Sequence, residues 1–224
     1  MFRETMRAAV RTGGTIEFAA DAPHPPSPKS GQVLVSVVAA AINPVDYKLP
    51  KLIGGPVAGI DVAGVVDEVG PNVSNLKKGD EVLGFAHGSV SDFATAEAKK
   101  LAKKPKALSW EQAAALPTAY LTGYQALTTH GGAGKETAVL VIGASGGCGT
   151  AGVALAKALG CPSVVAICSE ANAELVTGLG ATRVVDYTDA AGYAAFLAEG
   201  AKFDLIYDTA TNSGKGECVA AHLR

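Results

Sequence analysis

The chain has 224 residues, 48% of them hydrophobic, and a formal net charge of -2. That length supports one large domain or two small ones with a sizeable core, and the charge gives no pull towards nucleic acid or an anionic membrane. No apolar run approaches the ~20 residues a membrane-spanning helix needs, and residues 1–14 lack the apolar core of a signal peptide. A cytoplasmic protein is expected, with an organelle address left open because processing removes such segments. The four cysteines, Cys148, Cys161, Cys168 and Cys218, form no C-x-x-C pair, so reduced thiols are expected in place of a zinc site or a disulfide frame.

Residues 6–10 are a short apolar strand candidate, followed by a turn at Gly13-Gly14. Residues 21–30, rich in proline and polar groups, predict an extended surface segment. Residues 32–42 alternate and then become continuously apolar, the mark of a strand leading inward. Asn43-Pro44-Val45-Asp46-Tyr47-Lys48 follows as a polar turn that exposes hydrogen-bonding side chains beside a buried strand. Further strands are expected at 63–66 and 81–85, with turns at Gly70-Pro71-Asn72 and Lys78-Gly79-Asp80. Many short strands with glycine and proline punctuation predict a small β-barrel. Lysines 99, 100, 103, 104 and 106 lack interleaved aromatics and are flanked by Glu97 and Glu111, so a solvated strand edge is expected, not a nucleic-acid surface. Ser109-Trp110-Glu111-Gln112 reads as a capping box opening a helix at Ala113, which Pro117 should end or kink before a helical pattern resumes from Thr118.

From Thr137 the character changes. Strand candidates at 139–142, 164–168, 183–185 and 203–207 alternate with helical patterns at 150–159, 171–179 and 190–198. This is βαβ repetition, so the class is α/β: a barrel domain (1–117) followed by a doubly wound parallel sheet (118–224). The stretch that organises this half is Gly143-Ala144-Ser145-Gly146-Gly147-Cys148-Gly149, between a buried strand and a helix. Small residues allow a sharp turn and close approach, and the following helix aims free N–H groups at an anion, here the pyrophosphate of a dinucleotide. In the G-x-G-x-x-G fingerprint Ala144 takes the first position, Gly146 and Gly149 the others. The second strand ends Ile167-Cys168-Ser169. Cys168 stands where an NAD-binding carboxylate is expected, and Ser169 can donate to a phosphate. Glu170 opposes this, and no lysine or arginine follows closely. The balance favours NADPH over NADH.

The ordered set of these motifs, with Gly59-Ile60-Asp61-Val62-Ala63-Gly64, Gly79-Asp80-Glu81-Val82 and Ala115-Leu116-Pro117, resembles the medium-chain dehydrogenase/reductase superfamily. Within it the chain is similar to the zinc-free quinone oxidoreductase-like branch, which includes zeta-crystallin and enoyl reductases. The resemblance implies a GroES-like barrel, a Rossmann domain and a cleft between them. It implies pyrophosphate contacts at Ser145, Gly146, Gly147 and Cys148, adenosine contacts at Ser169, Asn172 and Tyr187, and Thr122 on the nicotinamide side. It places Asn43, Tyr47 and Lys48 in the substrate cleft. The positions that carry zinc ligands in metal-dependent relatives match Asn43, Ile60 and Thr118, so no metal is expected. The implied activity is metal-free, NADPH-dependent hydride transfer to a quinone or an α,β-unsaturated carbonyl compound. The alternative is a nucleotide-binding homologue without turnover. The tail after Asp208 does not resemble the family's next strand, so a C-terminally truncated member is expected, with homodimerisation left open for a full-length chain.

Overall fold

The computed structural model of the chain describes residues 4–48 and 55–210. The tail from Thr211, with Cys218 and His222, lies outside them. The chain divides into two compact units, one ending at Thr118 and one beginning at Ala119.

The first unit is antiparallel. Strands β1 (Thr5–Thr12) and β2 (Thr15–Pro23) form a hairpin around the Gly13-Gly14 turn, where both glycines have positive φ. β2 runs into the start of the segment 21–30 that the sequence suggests is an extended surface stretch; only Ala22 of it is buried, so it carries little hydrophobic pattern. A five-stranded sheet follows, made of β3 (Gln32–Ala41), β4 (Asp61–Val69), β5 (Glu81–Phe85), β6 (Phe93–Glu97) and β7 (Leu101–Lys103), in the order β6-β3-β4-β5-β7. The hairpin joins the barrel wall through isolated bridges, Ala8 to Ser91 and Val10 to Val57. The core holds Val33, Val35, Val62, Val66, Val82 and Leu101, the inward residues of alternating strands.

Asn43 to Lys48 is more ordered than a turn: Pro44–Lys48 forms the short helix α1, and Asp46 within it is buried at 2% exposure. Proline at the first helical position loses no hydrogen bond and presets the backbone. Of the lysine run, Lys103 lies on edge strand β7, and two of its charges are paired. Lys103 meets Asp80 at 3.2 Å and Lys104 meets Glu81 at 3.4 Å. Lys104 also lies 4.7 Å from the Trp110 ring centroid.

Helix α2 spans Trp110–Tyr124. The capping box is complete: Gln112 N–H donates to Ser109 Oγ at 3.1 Å, and Ser109 N–H donates to Gln112 Oε1 at 3.0 Å. The helix therefore starts at Trp110, three residues before Ala113. It also runs through Pro117, which was expected to end or kink it. Proline disturbs the local ladder, and the next N–H, that of Thr118, donates to the Asp61 carboxylate at 3.1 Å. The path continues as a π-helical segment, Gln125–His130.

The second unit is a parallel sheet of β8 (Ala138–Ile142), β9 (Ser163–Cys168), β10 (Arg183–Asp186) and β11 (Leu205–Asp208), in the order β10-β9-β8-β11. Helices α3 (Gly147–Ala158), α4 (Ala173–Leu179) and α5 (Ala190–Ala198) connect them. Val139, Val141, Val164 and Ala166 pack with Val153 and Ala156 of α3 and Val176 of α4. Leu140, Ile142, Val165 and Ile167 pack on the other face with Phe196 of α5 and Phe203. Burial on both faces is why these strands read as continuous apolar runs.

Candidate functional site

The strand order reverses at β8. Its successors lie to one side, β11 to the other, so the crevice of an open α/β sheet falls at the carboxyl end of β8. That is where the glycine turn sits. Three of its glycines have different physical reasons. Gly143 has φ +72°, a left-handed turn that side chains resist. Gly149 is buried, and a Cβ there would collide with the Gly143 carbonyl and lie 2.7 Å from Ala144 Cα. It lets α3 touch the end of β8. Gly147 is exposed, and a Cβ there would meet nothing within 4 Å.

The left-handed glycine is Gly143, one place before Ala144, which takes the first fingerprint position. Helix α3 also begins at Gly147, not at 150, with Gly146 as an extended N-cap. Ser145 and Gly146 thus precede the helix, while Gly147 and Cys148 lie in its first turn. The first N–H groups of a helix have no carbonyl partner within it, and here they open on the exposed face of Gly146 and Gly147.

The other predicted cofactor residues of this unit follow the neighbouring strand ends. Ser169 and Asn172 come after β9, with Asn172 Nδ2 donating to Ser169 Oγ at 2.9 Å. Tyr187 comes directly after β10 and is 45% exposed. Thr122 lies exposed on α2 beside Gly123, whose missing side chain makes room for Leu155 of α3. Cys168 departs from expectation. It is 1% exposed and packed among Val164, Ala166 and the α3 and α4 residues, and burial pushes its thiol up, helped by Asp186 and Glu170. It faces the core, so the positions open to a ribose are Ser169 and Glu170. Tyr207 of β11 packs on Gly152, where a Cβ would lie 2.6 Å from its ring. Burial, and then the nearby Cys148 thiol, push the Tyr207 phenol up to about 12. Sequence reasoning assigned Tyr207 no role beyond its strand.

In the first unit the structure gathers Asn43 and Thr118, two of the positions that the resemblance matches to zinc ligands of metal-dependent relatives, around Asp61, to which sequence reasoning gave no role. Asp61 is fully buried. Its Oδ2 accepts from Asn43 Nδ2 at 3.0 Å and from Thr118 N–H at 3.1 Å, and its Oδ1 accepts from Thr118 Oγ1 at 2.7 Å. Burial pushes the Asp61 carboxyl up, partly offset by these donors. Val45 and Ile60, beside Asn43 and Asp61 in the chain, line a cavity of about 250 Å³ with Phe85 and His87. Tyr47 is 56% exposed and lines a separate hollow with Arg11, Thr15 and Asp46. Lys48 is exposed beside it. The sequence signal for Asp61 itself was an acid in an apolar strand. Among the described residues no three His, Cys, Asp or Glu side chains come together as a metal site, and no helix is long and apolar enough to cross a membrane.

Two family models match the chain. Residues 29–139 match the alcohol dehydrogenase GroES-like domain, and residues 147–221 match the zinc-binding dehydrogenase model. A 2-methylene-furan-3-one reductase of Solanum lycopersicum is 41% identical over 211 residues, covering 86% of this chain and 52% of the relative. A chloroplast envelope quinone oxidoreductase homolog of Arabidopsis thaliana is 40% identical over 198 residues, covering 81% and 60%. The chain thus spans little more than half the length of these relatives. An alcohol dehydrogenase superfamily protein from Novosphingobium aromaticivorans superposes with a TM-score of 0.82 at 33% identity, covering 97% of this chain and 69% of that one. A mycobacterial protein solved with NADPH superposes with a TM-score of 0.84 at 28% identity, covering 98% and 71%.

Proposed function

The chain belongs to the medium-chain dehydrogenase/reductase superfamily, and from that premise we propose that it is an NADPH-dependent oxidoreductase acting on a quinone or an α,β-unsaturated carbonyl compound without a metal. The observation that carries the reading is the glycine turn at the strand-order reversal, with an open face at Gly146 and Gly147 and helix α3 behind it. The names of the relatives support the substrate class, and the NADPH complex of the mycobacterial protein supports the cofactor.

The chain's own residues take these parts. The first-turn N–H groups of α3, at Gly147 and Cys148, hold the pyrophosphate, favoured by the positive end of the helix. Ser169 and Asn172 hold the adenosine ribose; Ser169 Oγ accepts from Asn172 and keeps its own hydrogen for a phosphate oxygen. When bound, the reduced nicotinamide supplies the hydride. Asn43 donates through its amide to the carbonyl oxygen as charge gathers there. Tyr47, which lines a separate hollow, and Lys48 after it at the end of α1 are the further donors in this reading, and solvent supplies the proton. A zinc ion is not part of this reading. The Asn43 amide and the Thr118 hydroxyl both give a hydrogen to Asp61, and Ile60 has no donor atom, a set that does not fit zinc's preferred thiolates and imidazoles. A cytoplasmic location and the lack of a nucleic-acid partner belong to the same proposal, as does dimer formation in a longer chain.

The test is a titration of the chain with NADPH and NADH, followed by NADPH consumption against a panel of quinones and enones. Binding with turnover supports the reductase. Binding with no turnover favours the nucleotide-binding alternative, and no binding of either dinucleotide overturns both. Ser169→Ala should weaken NADPH about tenfold and leave NADH unchanged, since a hydrogen bond to a charged phosphate is worth ~1.5–3 kcal/mol.

A further inference from the structure

Asn43 stands at the start of α1, where an asparagine side chain ordinarily turns inward and caps its own helix. Here it is diverted. The Asp46 N–H donates to the Asn43 backbone carbonyl at 2.9 Å, and the Asn43 side chain reaches across to β4 and donates to Asp61. The Asn43 backbone is held from the other side, its N–H donating to Asp46 Oδ2 at 2.7 Å. Two buried carboxylates therefore fix one half-buried asparagine.

A carboxylate only accepts, so contact with Asp61 decides which end of the Asn43 amide faces it. Nδ2 points to Asp61; Oδ1 and the second Nδ2 hydrogen point elsewhere. Thr118 is fixed by the same carboxylate, and its hydroxyl hydrogen is already given to Oδ1. Thr118 then has only lone pairs to offer a ligand, whereas Asn43 keeps one hydrogen to donate. Among the described residues no cation pairs with Asp61, although burying a carboxylate is costly. Its hydrogen bonds to Asn43 and Thr118 are what hold it there.

We propose that Asp61 is a positioning residue: it fixes the Asn43 amide so that the free Nδ2 hydrogen meets the carbonyl oxygen of the substrate, and it does not touch the substrate itself. This rests on the reductase reading. Asp61→Asn tests it, because Thr118 N–H and Asn43 Nδ2 then compete for a single amide oxygen and the Asn43 amide loses its fixed direction. The expected result is a fall in kcat of about tenfold or more, as for other small misplacements of a reacting group, with KM for NADPH within about twofold. Asn43→Ala should lose as much, and the double variant no more than Asn43→Ala alone, since both changes remove one interaction. Additive losses would overturn the proposal, as would a fall in melting temperature with unchanged kcat per folded molecule.

A second readout does not depend on turnover. In the ¹⁵N-labelled chain the Asn43 side-chain amide, identified by its disappearance in Asn43→Ala, should show two distinct protons, the one given to Asp61 exchanging slowly. Asp61→Asn should shift them and speed their exchange. Unchanged Asn43 amide signals would overturn the proposal itself. A parent chain that binds NADPH but reduces no quinone or enone, while these signals behave as expected, would overturn the reductase reading on which it stands.

Discussion

Replacing Gly149 and Gly147 by alanine separates the folding role of the glycine turn from its binding role. At Gly149 the new Cβ would collide with the Gly143 carbonyl and lie 2.7 Å from Ala144 Cα. Carbon atoms rest at about 3.5–4.0 Å, so α3 has to withdraw from the end of β8 by about 1 Å. Overpacking of this kind costs ~1–3 kcal/mol. Alanine's better helix propensity returns at most ~1 kcal/mol. Gly149→Ala should therefore lose about 1 kcal/mol, or about 0.5 M in the urea midpoint at a slope near 2 kcal/mol/M. At Gly147 a Cβ meets nothing within 4 Å, so Gly147→Ala should hold the parent midpoint within ~0.5 kcal/mol. Its methyl group would instead occupy the pyrophosphate's place and weaken NADPH at least about tenfold, or ~1.4 kcal/mol. Urea unfolding and fluorescence titration on both variants read the two effects. A Gly149→Ala midpoint equal to the parent's would refute the packing argument, and parental NADPH affinity in Gly147→Ala would refute the cradle.

Ser109→Ala removes half of the reciprocal cap at the start of α2 and should lower stability by ~1 kcal/mol in urea unfolding. Burial raises the Asp61 carboxyl in the folded chain, so this group contributes stability fully below its ordinary value of 3.8 and loses it as pH rises through the folded value. The urea midpoint measured against pH should show that decline in the parent and lose it in Asp61→Asn. Lys104→Met removes the cation over Trp110, the one tryptophan of the chain, and should shift its emission while costing about 1 kcal/mol of stability. Unchanged emission would mean that the ammonium does not rest on the ring in solution.

The local patterns were legible in the sequence. The βαβ alternation from Ala138 onward, the glycine turn and the capping box at Ser109 each depend on neighbours a few residues apart, and each appears in the structure. α5 was placed to the residue, because alanine-rich helix 190–198 is bounded by Asp189, whose side chain caps Ala191 N–H. The burial of Cys168 was within reach of the same reasoning. Val164, Ala166 and Cys168 alternate along one strand and so share its face.

Other features were decided only by the fold. The helix survives Pro117 while the Thr118 N–H goes to an acid 57 residues earlier in the chain. The left-handed backbone falls at Gly143, directly after the end of β8. The Asn43, Asp61 and Thr118 cluster joins α1, β4 and α2 through hydrogen bonds spanning 18 and 57 residues. Periodicity carries information about which face a residue occupies, because side-chain direction repeats along an element. It carries none about which distant residue lies opposite, because that is set by how β3 and β4 pair and where the helix crosses them. The class of fold and the place of the nucleotide turn were therefore properties of the sequence alone. Which side chains hold one another in the barrel unit was a property of the tertiary structure.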